Sequence, residues 1–104
     1  MPDFTNRDKK KYAPITRIRS AETLGQLFRA ERKRQGLTLE SLYALTGLSI
    51  RFLSEFERGK PNASLSRVLH ALQALGLETL ILPRNEAEKL LARSAQPNDN
   101  NPPT

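Results

Sequence analysis

The tripeptide Gly47-Leu48-Ser49 divides the stretch Thr38 to Lys60 into two short apolar-patterned segments. Thr38 is a good N-cap immediately before Leu39, so the first segment is expected as a helix to about Thr46. Gly47 stands where such a helix ends in a left-handed residue, a conformation glycine adopts without a Cβ penalty. Ser49 then offers its hydroxyl to the free amides of a second helix, from Ile50 to about Arg58. Gly59 stops that helix, and Pro61 follows. Leu53 and Phe56, at i, i+3, mark its buried side, which leaves Ile50, Arg51, Ser54 and Glu55 facing outward.

Two helices joined this tightly form the geometry that lays a helix into a groove of duplex DNA. The residues Leu37-Thr38, Gly47, Leu48-Ser49, Leu53 and Glu57-Arg58-Gly59-Lys60 resemble the helix-turn-helix of the Xre and phage-repressor family, and the resemblance runs from about Leu24 to Leu82. Within that family, Arg58-Gly59-Lys60-Pro61, Ser64-Leu65 and Ala74-Leu75-Gly76-Leu77 look like the HipB-type antitoxins. Two positions depart from the family pattern. Leu39 stands where Gln is usual, which removes a polar contact to DNA. Tyr43 stands where a small residue is preferred, because the two helices approach closely there.

With 104 residues, the chain has room for one domain of about 60 to 75 ordered residues, the lower range for independent folding. It has no cysteine, so neither a disulfide framework nor a thiolate metal site is available. No apolar run approaches the roughly 18 residues a membrane span needs. Met1-Pro2-Asp3 leads into charge rather than the apolar core of a signal peptide. Asn62-Ala63-Ser64 matches a glycosylation acceptor by chance in such a chain. The expected location is a bacterial cytoplasm, at the nucleoid.

Net charge is +6, and residues 1 to 34 carry the whole excess, with ten Lys or Arg against four Asp or Glu. A solvated face is the bland reading. Beside a helix-turn-helix, phosphate contact is the better one. Residues 1 to 14, with Arg7-Asp8-Lys9-Lys10-Lys11, are expected as a disordered basic arm. The arm either tracks a DNA backbone or minor groove or is a leader without a role.

Ser20 is expected to cap the first long helix, with Glu22 in its first turn, Leu24, Leu27 and Phe28 on its apolar stripe, and Gly36 at its end. Arg32 lies on that same stripe, four residues after Phe28. A charge there needs a partner. Glu57 stands one turn after Leu53 on the buried side of the second short helix, and an Arg32–Glu57 ion pair is therefore expected. Repressors of the resembling family place an Arg and a Glu at matching points.

Ser64 caps the next helix, in which Leu65, Val68, Leu69 and Leu72 follow i, i+3, i+4, i+7, before Leu75 and Gly76. His70, the sole histidine, lies off the stripe and is read as incidental. Leu77-Glu78-Thr79-Leu80-Ile81-Leu82 reads as a strand stopped by Pro83. One strand cannot satisfy its own amides and carbonyls. Ile15 to Arg19 is a weak internal partner, and the same strand of a second subunit is the simpler one. The HipB resemblance implies a dimer closed this way. Asn85-Glu86-Ala87-Glu88 looks like a capping box for a short helix to about Ser94, with Ala87, Leu90 and Leu91 on one side. That helix either packs on its own domain or docks a partner. The expected fold is all-α: a small, lambda-repressor-like bundle of four to five helices over residues 15 to 94, plus one short C-terminal strand pairing across a dimer. A disordered tail follows over residues 95 to 104.

These expectations favour a sequence-specific repressor that binds double-stranded DNA. Arg51 can donate two bonds to guanine, and Ile50 can meet a thymine methyl. Ser49 and Ser54 lie on the base-reading surface, with Glu55 able to accept from cytosine. Thr38, Arg58 and Lys60 suit phosphates. A homodimer would set two recognition helices about 34 Å apart on a palindromic operator. The HipB resemblance implies an antitoxin that restrains a HipA-like kinase and autoregulates its operon. A stand-alone Xre-type regulator is the rival. An enzyme is disfavoured by the inventory: one isolated His, no clustered carboxylates and no phosphate-cradling glycine loop. No cofactor or metal is expected. A single-strand or RNA binder is disfavoured because the six aromatics are scattered.

Overall fold

Four hydroxyl caps set the starts of the first four helices. The computed structural model describes residues 15–95. Its helices are α1 (Ala21–Arg34), α2 (Leu39–Thr46), α3 (Ile50–Glu57), α4 (Leu65–Ala74) and α5 (Arg84–Ala95). The Ser20, Thr38, Ser49 and Ser64 hydroxyls accept from the backbone N–H of Thr23, Ser41, Phe52 and Arg67 at 3.1, 3.0, 3.0 and 3.4 Å. Each satisfies one of the amides that a helix start leaves free. At Thr38 the bond is reciprocated, because the Ser41 hydroxyl accepts from the Thr38 amide at 2.9 Å.

The core is small and assembled from α1 to α4. Phe28, Leu42 and Leu53 are fully buried, joined by Phe56, Val68, Ala71, Leu72 and Leu75. The rings of Phe28 and Phe56 lie 4.9 Å apart, inclined at 48°, and tie α1 to α3. Leu24, Leu37, Leu39, Leu48, Phe52, Ala63 and Leu77 close the rim. No helix among the described residues is long and apolar enough to cross a membrane.

Three sequence expectations need correction. The buried stripe of α4 is Val68, Ala71, Leu72 and Leu75, whereas Leu65 is 70% exposed and Leu69 also faces out. The helical repeat fits both registers. The true one runs through Ala71, whose small side chain carries little weight in a pattern drawn from large residues. Second, no strand forms among the described residues. Leu77 to Leu82 have no regular structure, and neither does Ile15 to Arg19. A lone extended run has no ladder to join. Third, α5 starts at Arg84, ahead of the expected box. The Pro83 carbonyl already accepts from the Ala87 amide at 2.9 Å, so Asn85 is the second helical residue rather than the cap. Ala87, Leu90 and Leu91 share the half-buried side of α5, and none of its residues is buried. The basic arm, residues 1 to 14, and the tail from residue 96 lie outside the described residues.

Candidate nucleic-acid interface

The turn between α2 and α3 is braced from both sides. Gly47 has φ +78°, and its amide closes onto the Tyr43 carbonyl at 2.8 Å. The Thr46 hydroxyl donates to the Leu42 carbonyl at 2.7 Å and accepts from the Leu48 amide at 3.0 Å. His70 on α4 reaches the same corner, with Nε2 at 3.1 Å from the Thr46 carbonyl. A carbonyl only accepts, so Nε2 carries the proton.

The far end of α3 folds back on itself. The Gly59 amide donates to the Phe56 carbonyl at 3.0 Å, and the Lys60 amide donates to the Glu55 carbonyl at 3.0 Å. This pair of bonds is the Schellman closure, which needs a left-handed residue at Gly59 (φ +81°). It returns Lys60 over the helix, where Nζ lies 3.2 Å from Glu55 Oε1. Arg51 Nε donates to Glu55 Oε2 at 3.3 Å, and Arg58 Nη1 donates to Ser54 Oγ at 2.8 Å. The Lys60 and Arg51 cations hold the Glu55 carboxyl below its ordinary value.

Most of the expected site residues lie along α3 and at its two ends, exposed or half-buried. Ile50 and Ser49 are exposed at the start of α3, and the Arg51 side chain is 85% exposed. Ser54 and Glu55 are half-buried beside it, and Arg58 and Lys60 are exposed at its end. Thr38 is exposed at the start of α2, its hydroxyl committed to the cap. An open groove beside Lys60 is lined by Phe52, Glu55, Asn62, Ser64 and Arg67.

Behind α3 lies the Arg32–Glu57 pair. Arg32 Nε donates to Glu57 Oε2 at 2.5 Å and Nη2 donates to Oε1 at 2.9 Å, both groups buried. The third guanidinium nitrogen, Nη1, donates to the Leu37 carbonyl at 2.8 Å. One side chain thus links α1, the α1–α2 loop and the end of α3. Bonding to Glu57 raises the pKa of Arg32 further. Arg29 Nε adds a longer contact to Glu57, at 3.7 Å.

A second polar cluster fastens α1 to α4. The buried Glu31 carboxylate receives Arg34 Nε at 2.9 Å and Gln35 Nε2 at 2.7 Å. Gln35 Nε2 also donates to the Leu75 carbonyl at 2.8 Å. The Arg34 bond, with help from Gln35, holds the Glu31 carboxyl below its ordinary value. The unfolded chain therefore binds this proton more readily than the folded one. Glu31 stabilises the fold fully above its ordinary value of 4.5, and that contribution drains away as pH falls through the lowered folded value. Glu31→Gln is expected to destabilise the protein by about 1 to 3 kcal/mol at neutral pH. It should also flatten the acid limb of a plot of melting temperature against pH. An acid limb as steep as that of the parent would exclude Glu31 as a source.

One close contact between helices is not announced by the sequence pattern. Tyr43, where the resembling family prefers a small residue, is 53% exposed. Gly25 on α1 lies against the end of α3, where a Cβ would stand 2.3 Å from the Phe56 carbonyl oxygen. Gly59 has a second reason to be glycine, since its Cβ would stand 2.7 Å from the Glu22 Cα. The bracing roles of Thr46, His70 and Gln35 also went unread.

A short capped helix, turned outward by a three-residue corner and backed by a packed first helix, is the geometry of a helix-turn-helix. Residues 23–80 match the family described as helix-turn-helix domain, and the chain belongs to that family. It is 38% identical over 73 residues to the uncharacterised HTH-type transcriptional regulator y4mF of Sinorhizobium fredii (strain NBRC 101917 / NGR234), covering 70% of this chain and 96% of the relative. The regulator y4dJ of the same organism is 35% identical over 65 residues, covering 61% and 84%. Among solved structures the fold is similar to HipB. The HipB–O4 20mer complex superposes with a TM-score of 0.62 at 25% identity, over 66% of this chain and 97% of that one. HipB in the HipA–HipB–O2–O3 complex gives the same TM-score, identity and coverage.

Proposed function

We propose that this protein is a sequence-specific transcriptional repressor and the antitoxin of a HipA-like kinase. It acts as a homodimer on a palindromic operator upstream of its own operon. The observation that carries the reading is the outward face of α3: an almost fully exposed Arg51 flanked by Ser54, Arg58 and Lys60. The likeness to HipB, a protein solved with HipA, supports the antitoxin role. The dimer is supported by Leu80, Ile81 and Leu82, exposed in sequence (70%, 93% and 41%) on a run that forms no ladder among the described residues. Two copies pairing these runs antiparallel would satisfy the backbone and cover the apolar side chains.

In this reading Arg51 contacts a base edge, with Ser49, Ile50 and Ser54 beside it, and Thr38, Arg58 and Lys60 hold phosphates. The rival is a stand-alone regulator without a toxin partner, and the names of the two Sinorhizobium relatives are compatible with either.

Titration against duplex DNA from upstream of the gene separates the roles. Arg51→Ala is expected to lower the preference at one base pair by about 1 to 3 kcal/mol. Lys60→Ala is expected to weaken binding to all sequences alike and reduce the salt slope by about one. Equal loss on every sequence in Arg51→Ala would exclude base reading there. Co-purification with a kinase encoded beside the gene would favour the antitoxin, and a stable dimer with no such partner would favour the rival.

A further inference from the structure

We infer that Glu55 is a positioning residue for Arg51, not a base reader, and that it turns the outward face of α3 into a surface of hydrogen-bond donors suited to guanine. The inference rests on the DNA-reading role proposed above.

Both carboxylate oxygens of Glu55 are engaged, Oε2 by Arg51 Nε at 3.3 Å and Oε1 by Lys60 Nζ at 3.2 Å. The contact to Arg51 is made through the inner nitrogen. The two terminal nitrogens of the guanidinium therefore stay available, and that pair matches O6 and N7 of guanine end on. Lys60 is delivered to Glu55 by the chain itself, through the bond from its amide to the Glu55 carbonyl at 3.0 Å. One carboxylate thus connects the side chain that would read a base with one that would hold a phosphate.

Ser54 follows the same logic. Its oxygen accepts from Arg58 Nη1 at 2.8 Å, which leaves its own hydrogen to donate. Arg51, Ser54 and Lys60 then present donors, and the carboxylate among them already holds one cation on each oxygen. A cytosine N4 donor would have to share Glu55 with those two cations, whereas the guanine edge carries two acceptors that match free donors. Holding Arg51 at Nε also removes part of the ordering that binding would otherwise require of an 85% exposed side chain.

Selection from a randomised duplex library, followed by competition titrations, tests this with the full chain, Glu55→Gln and Arg51→Ala. Thermal melting confirms that each variant is folded. The parent is expected to enrich guanine at one position per half-site, and Arg51→Ala to lose that preference. Glu55→Gln is expected to keep guanine as the favoured base while discrimination at that position falls roughly two- to tenfold, the ordering of one long side chain. Its affinity for every duplex rises, because a negative charge leaves a phosphate-facing surface. If Glu55→Gln tightens all sequences alike with guanine discrimination intact, Glu55 is only a repulsive charge and the inference fails. Loss of a cytosine preference elsewhere would make Glu55 a reader and also overturn it. Both results leave the reading role of Arg51 standing. No guanine enrichment by the parent, or its persistence in Arg51→Ala, overturns that role and this inference together.

Discussion

Glu57→Gln is expected to destabilise the protein by about 3 to 5 kcal/mol, because it leaves the buried Arg32 guanidinium without its counter-charge. Arg32 is 8% exposed and Glu57 7% exposed, so water does not replace the lost partner. A domain of about 80 residues has only some 4 to 12 kcal/mol of stability in total. The melting temperature should therefore fall by more than about 10 °C. The pair also places α3, since the carboxylate sits on the last residue of α3 and the guanidinium spans to Leu37. Affinity for all DNA sequences should drop together as the unfolded fraction rises. Arg29 is too exposed to stand in, and Arg29→Ala should change stability by less than about 1 kcal/mol. A discriminating control replaces both members, as Arg32→Met with Glu57→Leu. That double variant should recover much of the loss, since apolar residues of similar volume can substitute for a buried pair. A melting temperature unchanged in Glu57→Gln would mean that the two charges are solvated in solution.

This pair was legible in the sequence because a charge on an apolar stripe creates a demand, and each residue supplied what the other lacked. The caps at Ser20, Thr38, Ser49 and Ser64 were legible for a related reason. A hydroxyl ahead of an apolar repeat acts on its own next turn, so no knowledge of the rest of the fold is needed. The run Leu77 to Leu82 was legible only as a propensity. Whether it becomes a strand depends on a partner backbone, which no local pattern contains. The register of α4 failed because two stripes overlap in one leucine-rich helix. Only the neighbouring helices decide between Leu65 and Ala71. At the interface, the residue types on α3 could be read, but not which of them are already occupied. The closure of the helix at Gly59 brings Lys60 onto Glu55, a contact that no local pattern announces.

Gly25→Ala carries the other large expected effect, and intrinsic propensity points the opposite way. In an isolated helix, alanine is better than glycine by about 1 kcal/mol. Here the added methyl would stand 2.3 Å from the Phe56 carbonyl oxygen and 2.7 Å from that of Glu57. Both are backbone atoms at the end of α3, so no rotamer change relieves the clash. α1 and α3 must move apart, at the contact that also holds the Phe28–Phe56 ring pair and the Arg32–Glu57 bonds. Overpacking of this kind costs about 1 to 3 kcal/mol where side chains can yield. With backbone on the opposing side the net loss should reach about 3 kcal/mol or more, despite the gain in propensity. Because the displaced element is α3, the interface should be disturbed as well. Folded Gly25→Ala is expected to bind its preferred duplex less well than the parent and with a smaller margin over bulk DNA. Chemical denaturation measures the first effect, and competition titration under conditions where the variant remains folded measures the second. A Gly25→Ala protein as stable as the parent would show that α1 and α3 do not approach this closely, and the placement of α3 would have to be revised.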